Sequence, residues 1–182
     1  LEEKVEQRTK ELNIKNEELF KLSITDKLTG LYNRVKLDSV LQENMSLSLR
    51  YGNIFSVIII DIDFFKKIND NFGHQVGDDV LKECSYILSQ NIRNVDTLGR
   101  WGGEEFLVVC PETLKNGAKD LAIKLNKAIK LHKFSTYPHS VTISVGVASC
   151  SVNDLNYDDI ISNADKALYE AKNNGRDRVE IF

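Results

Sequence analysis

Arg100-Trp101-Gly102-Gly103-Glu104-Glu105-Phe106-Leu107-Val108-Val109 is the stretch that decides how this chain is read. Adjacent Gly102 and Gly103 suit the centre of a two-residue hairpin turn, where positive φ is required and the lack of a Cβ makes it cheap. The absent side chains also leave room for a ligand against the backbone. Leu107, Val108 and Val109 then continue as a strand. Two neighbouring carboxylates on so rigid a tip are costly unless a cation or a donor answers them. Standing alone, the stretch reads first as a solvated acidic turn.

A second segment changes that balance. The apolar run from Phe55 to Ile60 ends in Asp61-Ile62-Asp63. Continuous β-branched residues predict a strand buried on both faces. Carboxylates at the C-terminal end of such a strand are presented by a rigid sheet. Asp61 and Glu104 are therefore expected to converge across neighbouring strands. An oxygen-only donor set without Cys or His suits Mg²⁺ or Mn²⁺ better than zinc. Asp63 reads alternatively as the cap of a short following helix.

With 182 residues the chain is long enough for one domain with a sizeable core and an extension. Its net charge of −3 offers no bulk electrostatic capture of nucleic acid, and no nucleic-acid partner is expected. Cys84, Cys110 and Cys150 are scattered and odd in number, which argues against a disulfide framework and for a reducing compartment. No apolar run is long enough to span a bilayer, and no signal peptide is visible. The chain begins at Leu1 without Met, so it is expected to be a fragment of a longer protein, with an upstream membrane segment left open.

Residues 1–22 differ from the rest, being rich in Glu, Lys and Asn with no Gly or Pro. Val5, Leu12 and Leu19 recur at heptad spacing, with Leu1 and Leu22 at companion positions. Arg8 and Lys15 share those positions and weaken the seam. The pattern fits a marginal two-stranded coiled coil, or a lone amphipathic helix packed on its own domain. Further on, Val80, Leu81, Cys84, Ile87 and Leu88 form a helical apolar face, as do Leu114, Ala118, Leu121, Leu125 and Ile129. Tyr157, Ile160, Ile161, Ala164, Leu168 and Ala171 form another. Val141, Ile143, Val145 and Val147 alternate as a strand, and Val179 to Phe182 read as a short last one. Helices between strands imply an α/β architecture.

Five motifs then stand in order: Asp26-Lys27-Leu28-Thr29-Gly30-Leu31-Tyr32-Asn33-Arg34; Asp61-Ile62-Asp63-Phe64-Phe65-Lys66-Lys67-Ile68-Asn69-Asp70; Phe72-Gly73-His74 with Gly77-Asp78; the hairpin; and Ala164-Asp165-Lys166-Ala167-Leu168-Tyr169 running to Lys172, Gly175 and Arg176. Together they resemble the GGDEF domain of diguanylate cyclases, in its Gly-Gly-Glu-Glu-Phe form, from about Asp26 to the C-terminus. One short motif is weak evidence, but this order and spacing are specific.

The resemblance implies an α/β fold of the α+β kind: a central, mostly antiparallel sheet surrounded by helices, palm-like as in class III nucleotide cyclases. It implies two parts, a coiled-coil signalling helix at residues 1–24 and a cyclase domain at residues 25–182. The implied reaction condenses two GTP into cyclic di-GMP and releases two pyrophosphates, in a homodimer that Mg²⁺ or Mn²⁺ assists. By the family pattern Asp61, the Ile62 carbonyl and Glu104 hold metal. Glu104 also helps deprotonate the 3′-hydroxyl, Glu105 touches a second metal, and Lys66 stabilises the transition state. Backbone amides around Phe64 and Phe65 hold phosphate oxygens, with both rings read as core. Lys172 and Arg176 meet the terminal phosphates, while Asn69 and Asp78 read guanine.

Plainer readings stand beside these: a solvated lysine for Lys66, an N-cap for Asp78, a turn Asn for Asn69, and helix-end cations for Lys172 and Arg176. Arg93-Asn94-Val95-Asp96 resembles the family's inhibitory site for the product, cyclic di-GMP, or is a surface ion pair. Asp26 and Arg100 match a structural salt bridge of the family. His74 reads as structural, and His132 and His139 as surface residues. Trp101 is bulkier than usual for the family, and Asp177 stands where Asn is usual. The resemblance also implies a cytoplasmic catalytic domain, an upstream sensor, and an inner-membrane anchor left open. The rival reading is a catalytically silent receptor for GTP or cyclic di-GMP that regulates a partner.

Overall fold

The structure, a computed structural model, describes residues 2–151 and 154–182. Its central strand is β1 (Phe55–Ile62), and all eight residues are buried, Ser56 and Asp61 among them. It pairs antiparallel with β3 (Glu105–Pro111) on one side and β4 (Ile143–Ser149) on the other. A hairpin adds β2 (Thr97–Gly102) outside β3, and β5 (Arg178–Ile181) joins β4 in parallel at the far edge. The order is β2-β3-β1-β4-β5, a mostly antiparallel sheet with one parallel pair.

Successive side chains of β1 point to opposite faces, so the two faces build two cores. Ile58, Ile60 and Ile62 pack with α4 (His74–Asn91) and α5 (Lys115–Leu131). Phe55, Val57 and Ile59 pack with α2 (Arg34–Tyr51) and α6 (Tyr157–Asn173). Each fully buried Ile contributes about 1.5–3 kcal/mol through apolar area removed from water. The parity of β1 also assigns Asp61 to the α6 side of the sheet.

α2 has no counterpart in the sequence reading, although its signs are ordinary. Asn33 caps it by accepting from Lys36 N at 3.2 Å, Leu37, Val40, Leu41 and Met45 form its buried stripe, and Gly52 ends it at φ 71°. Leu114, assigned above to an apolar face, stands instead at the N-cap of α5 and is exposed. Trp101 is buried beneath the Arg34 guanidinium, 3.9 Å from its ring centre.

α1 (Glu2–Ile24) stands apart: residues 4–23 are all exposed, including Val5, Leu12, Leu19 and Leu22. Leu1, placed above on the heptad seam, lies outside the described residues. Where α1 ends, Thr25 bridges Tyr32, and Tyr32 bridges Gly99 of β2. The Arg100 amide donates to the Tyr32 carbonyl at 2.8 Å. The helix end is thereby tied to the hairpin.

Candidate active site

The hairpin closes one residue later than its two glycines suggest. Gly102 pairs with Glu105, so the turn residues are Gly103 and Glu104, and a bulge falls between Arg100 and Gly102. Gly103 takes φ 50°, and Gly102 serves as a strand residue. Arg100 braces the tip: its Nε donates to the Gly103 carbonyl at 2.9 Å, and its Nη1 lies 3.2 Å from Asp26. Burial works to raise the Asp26 pKa, but hydrogen bonds from Thr29 and Arg100 outweigh it and hold the carboxyl below its ordinary value.

Behind this turn β1 pairs Asp61 with Glu105, and the Ile62 amide lies 3.4 Å from the Glu104 carbonyl. The structure thus brings Asp61, Ile62, Glu104 and Glu105 to one end of the sheet. Burial, with repulsion from Glu104 and Asp63, pushes the Asp61 carboxyl above its ordinary pKa despite Lys172. Burial and the Asp61 charge raise Glu105 likewise. Across from them on α6, Lys172 Nζ lies 2.8 Å from Asp61 Oδ2. A position that crowds carboxylates and draws an ammonium is one that a divalent cation would favour. Among the described residues no three His, Cys, Asp or Glu side chains surround one point. Two carboxylates and a carbonyl fit a hard ion that completes its shell with water and substrate oxygens, as Mg²⁺ does.

On the other side of the hairpin lies an open cleft of about 490 Å³ between its tip, α4 and α3 (Phe65–Phe72). Lys66, Asn69, Asp78 and Glu104 all line it, as does His74. Asp78 is not an N-cap: α4 starts at His74 after Gly73, so Asp78 stands within the helix. Gly77 makes room for its neighbour. A Cβ there would meet Asn69 Oδ1 at 1.9 Å and the Phe65 ring at 3.3 Å.

The remaining residues gather near the start of α3. Phe65 is buried, as expected for a core ring, but Phe64 is half exposed. Its ring lies between Lys67 and Arg176, at 4.7 and 4.6 Å from their charged ends. The reason is backbone geometry, because Phe64 has φ 56° and turns its side chain out of the sheet. Lys67 and Ile68 amides already donate to the Phe64 carbonyl, and the Phe64 and Phe65 amides lie ahead of them at the helix start. Asp63 does not cap α3. It is buried and accepts from Thr142, Ser144 and the Asp177 amide.

Arg93 and Asp96 form a closed pair. Asp96 accepts from the Arg93 amide, Nε and Nη2 at 2.8–3.1 Å, and Nη2 also meets Thr113 Oγ1 at 2.6 Å. Hydrogen bonding to Asp96 raises the Arg93 pKa further. The other two histidines have partners that the sequence did not suggest. His132 Nε2 lies 2.8 Å from Glu83, and His139 packs edge-on against Phe72 and Tyr137.

A family model described as "Diguanylate cyclase, GGDEF domain" matches residues 23–178, and the chain belongs to this family. It is 39% identical over 163 residues to Response regulator PleD of Caulobacter vibrioides, covering 87% of this chain and 36% of that protein. The chain spans less than half the length of the curated relatives it matches. Among solved structures, the coiled coil and GGDEF domain of DgcB from Caulobacter crescentus, in complex with c-di-GMP, superposes with a TM-score of 0.91 at 26% identity, over 98% of this chain and 95% of that one. The active GGEEF domain of a diguanylate cyclase from Vibrio cholerae gives 0.79 at 37% identity, over 82% of this chain and 96% of that one.

Asp63 and Gly77 are what sequence reasoning missed. Gly77 was quoted inside a motif without its reason, which is the Asn69 amide lying against it. No spacing rule links Asp63 to Thr142, Ser144 and Asp177, which only the sheet brings near.

Proposed function

We propose that this chain condenses two molecules of GTP into cyclic di-GMP. The observation that carries the reading is one cleft lined by Lys66, Asn69, Asp78 and Glu104, next to Asp61 and the Lys172 cation. The Asp78 carboxylate accepts from guanine N1–H and the exocyclic amine, and the Asn69 amide meets the base edge. The Phe64 and Phe65 amides, Lys172 and Arg176 hold the phosphate chain. Asp61, the Ile62 carbonyl and Glu104 would hold the divalent ion. When bound, Mg²⁺ or Mn²⁺ polarises phosphoryl oxygens and offsets charge that grows in the transition state.

Each ribose 3′-oxygen forms a bond to the α-phosphorus of the opposite GTP, and the bond to pyrophosphate breaks. Glu104 helps take the 3′-hydroxyl proton, Glu105 adds negative charge for a second ion, and Lys66 stabilises the leaving charge. Little covalent work falls to the protein, so positioning and charge supply the rate.

One domain offers one such cleft, so two must face each other. α1 supplies the means, because its heptad residues Val5, Leu12 and Leu19 are exposed and want a second helix. We divide the chain accordingly into a coiled-coil signalling helix, residues 1–24, and a cyclase domain, residues 25–182. The ties from Thr25 and Asp26 to β2 and the hairpin give an upstream sensor a route to the site. Product feedback is assigned to Arg93 and Asp96 on the Arg-x-x-Asp resemblance, and the similar DgcB coiled coil and GGDEF domain was solved in complex with c-di-GMP. The domain is cytoplasmic in this reading, and no helix of the described residues is long and apolar enough to cross a membrane.

Incubating the protein with Mg²⁺ and either GTP or ATP, then separating the products, tests the reading. Cyclic di-GMP from GTP alone supports it. Tight GTP binding by a dimeric sample without product overturns it in favour of a silent receptor.

A further inference from the structure

The proposed chemistry leaves the buried carboxylate of Asp63 without a task. Asp63 follows β1 directly and is only 5% exposed. Its Oδ1 accepts from Ser144 Oγ at 2.6 Å. Its Oδ2 accepts from Thr142 Oγ1 at 2.7 Å and from the Asp177 amide at 3.0 Å. Burying a carboxylate is costly, and these three donors offset the loss of water. Joining β1 to β4 does not require it, since backbone pairing already runs to Ile62 and Ile143. The hold on Asp177 is what Asp63 adds.

That hold falls on an unfavourable piece of backbone. Gly175, Arg176 and Asp177 have φ of 109°, 64° and 47°, which reverse the chain between α6 and β5. Only glycine takes such angles freely, so Arg176 and Asp177 need outside support. The reversal carries Arg176 back over Phe64, and its Nη1 reaches towards the Lys172 carbonyl at 3.5 Å. Phe64, the residue after Asp63, has positive φ as well. Asp63 thus sits between the helix start that offers backbone amides and the turn that carries Arg176, just beyond Lys172 of α6. The Asp177 side chain points away, to Lys130 and Asn126, and supplies a second anchor.

We propose that Asp63 is a positioning residue, whose carboxylate clamps the 175–177 turn to the end of β1 so that Arg176 faces the phosphate chain of a nucleoside triphosphate beside Lys172 of α6. The inference rests on the phosphate role given to those two cations above. Asp63 touches neither nucleotide nor metal in it, and acts through the turn.

Calorimetric binding of α,β-methylene GTP and of GMP, both with Mg²⁺, tests the clamp in the full chain. The wild type is expected to prefer the triphosphate. Asp63→Ala, folded by circular dichroism, is expected to reduce that preference about tenfold with GMP affinity unchanged, a loss in proportion to one charge-assisted contact. Asp63→Asn is expected to stay within about threefold, since its carbonyl can face the Asp177 amide while its NH₂ donates to Ser144. A folded Asp63→Ala with its preference intact overturns the clamp, as does an Asn variant that loses as much as Ala. A wild type with no preference for the triphosphate overturns the phosphate role itself, and the clamp with it. If Asp63→Ala does not fold, Thr142→Val carries the test, with about a threefold loss expected and an unchanged preference overturning the proposal.

Discussion

The two sides of the candidate site are held by different means. On the α3–α4 side, Asn69 and Asp78 stand within regular helices, and Gly77 opens the space one of them needs. On the α6 side, the chain takes positive φ at Phe64, Arg176 and Asp177. Among the described residues Glu112 is the remaining non-glycine residue to do so, so the unfavourable backbone concentrates at this side. The base cleft is preorganised by close packing, whereas the phosphate side is preorganised by strain that a buried carboxylate offsets. Changes to the first should damage stability and binding together. Changes to the second should separate them.

The largest effect is expected where the two sides meet. Glu104→Gln should lower the turnover of GTP about 10³-fold, the scale for losing a group aimed at transition-state charge, with the melting temperature little changed. A steady-state assay of pyrophosphate release measures this, and near-normal turnover would remove Glu104 from the chemistry. Gly77→Ala comes next. Overpacking against Asn69, offset in part by the roughly 1 kcal/mol that Ala gains over Gly inside a helix, should leave a net cost of up to about 2 kcal/mol in denaturant unfolding and raise KM for GTP about tenfold. If stability falls and KM does not, the cleft is not where the base sits.

Arg176→Gly is expected to split the two properties. Relief of the left-handed backbone should add up to about 1 kcal/mol to stability, while loss of the guanidinium raises KM for GTP several-fold. A variant less stable than the parent would show that Arg176 is not strained. The smallest effect should come from Glu83, outside both sides. Burial works to raise its pKa, but hydrogen bonds from Ser135 and His132 prevail and lower it below its ordinary value of 4.5. A lowered folded value means stability that is present above pH 4.5 and lost as pH falls through the folded pKa. Glu83→Gln should therefore melt slightly earlier at pH 7, match the parent in acid, and leave GTP turnover unchanged. A melting difference that persists below that range would assign the effect to packing.

Sequence by itself determined the central strand, because the β-branched run that closes the Phe55–Ile60 segment reads as a strand covered on both faces. It also determined the family, since five motifs in order fix which residues a cyclase of this kind would use, and the convergence of Asp61 with the hairpin followed from strand logic alone. Local signals likewise held enough to find α2, through the Asn33 cap and its apolar stripe. Tertiary structure alone decided the turn residues, because a bulge moves the register by one and no composition rule reports a bulge. It alone decided that Phe64 faces outward and that Asp63 is a buried acceptor instead of a cap. The burial of Asp63 depends on donors 79, 81 and 114 residues away along the chain, and only the fold brings them within hydrogen-bond reach.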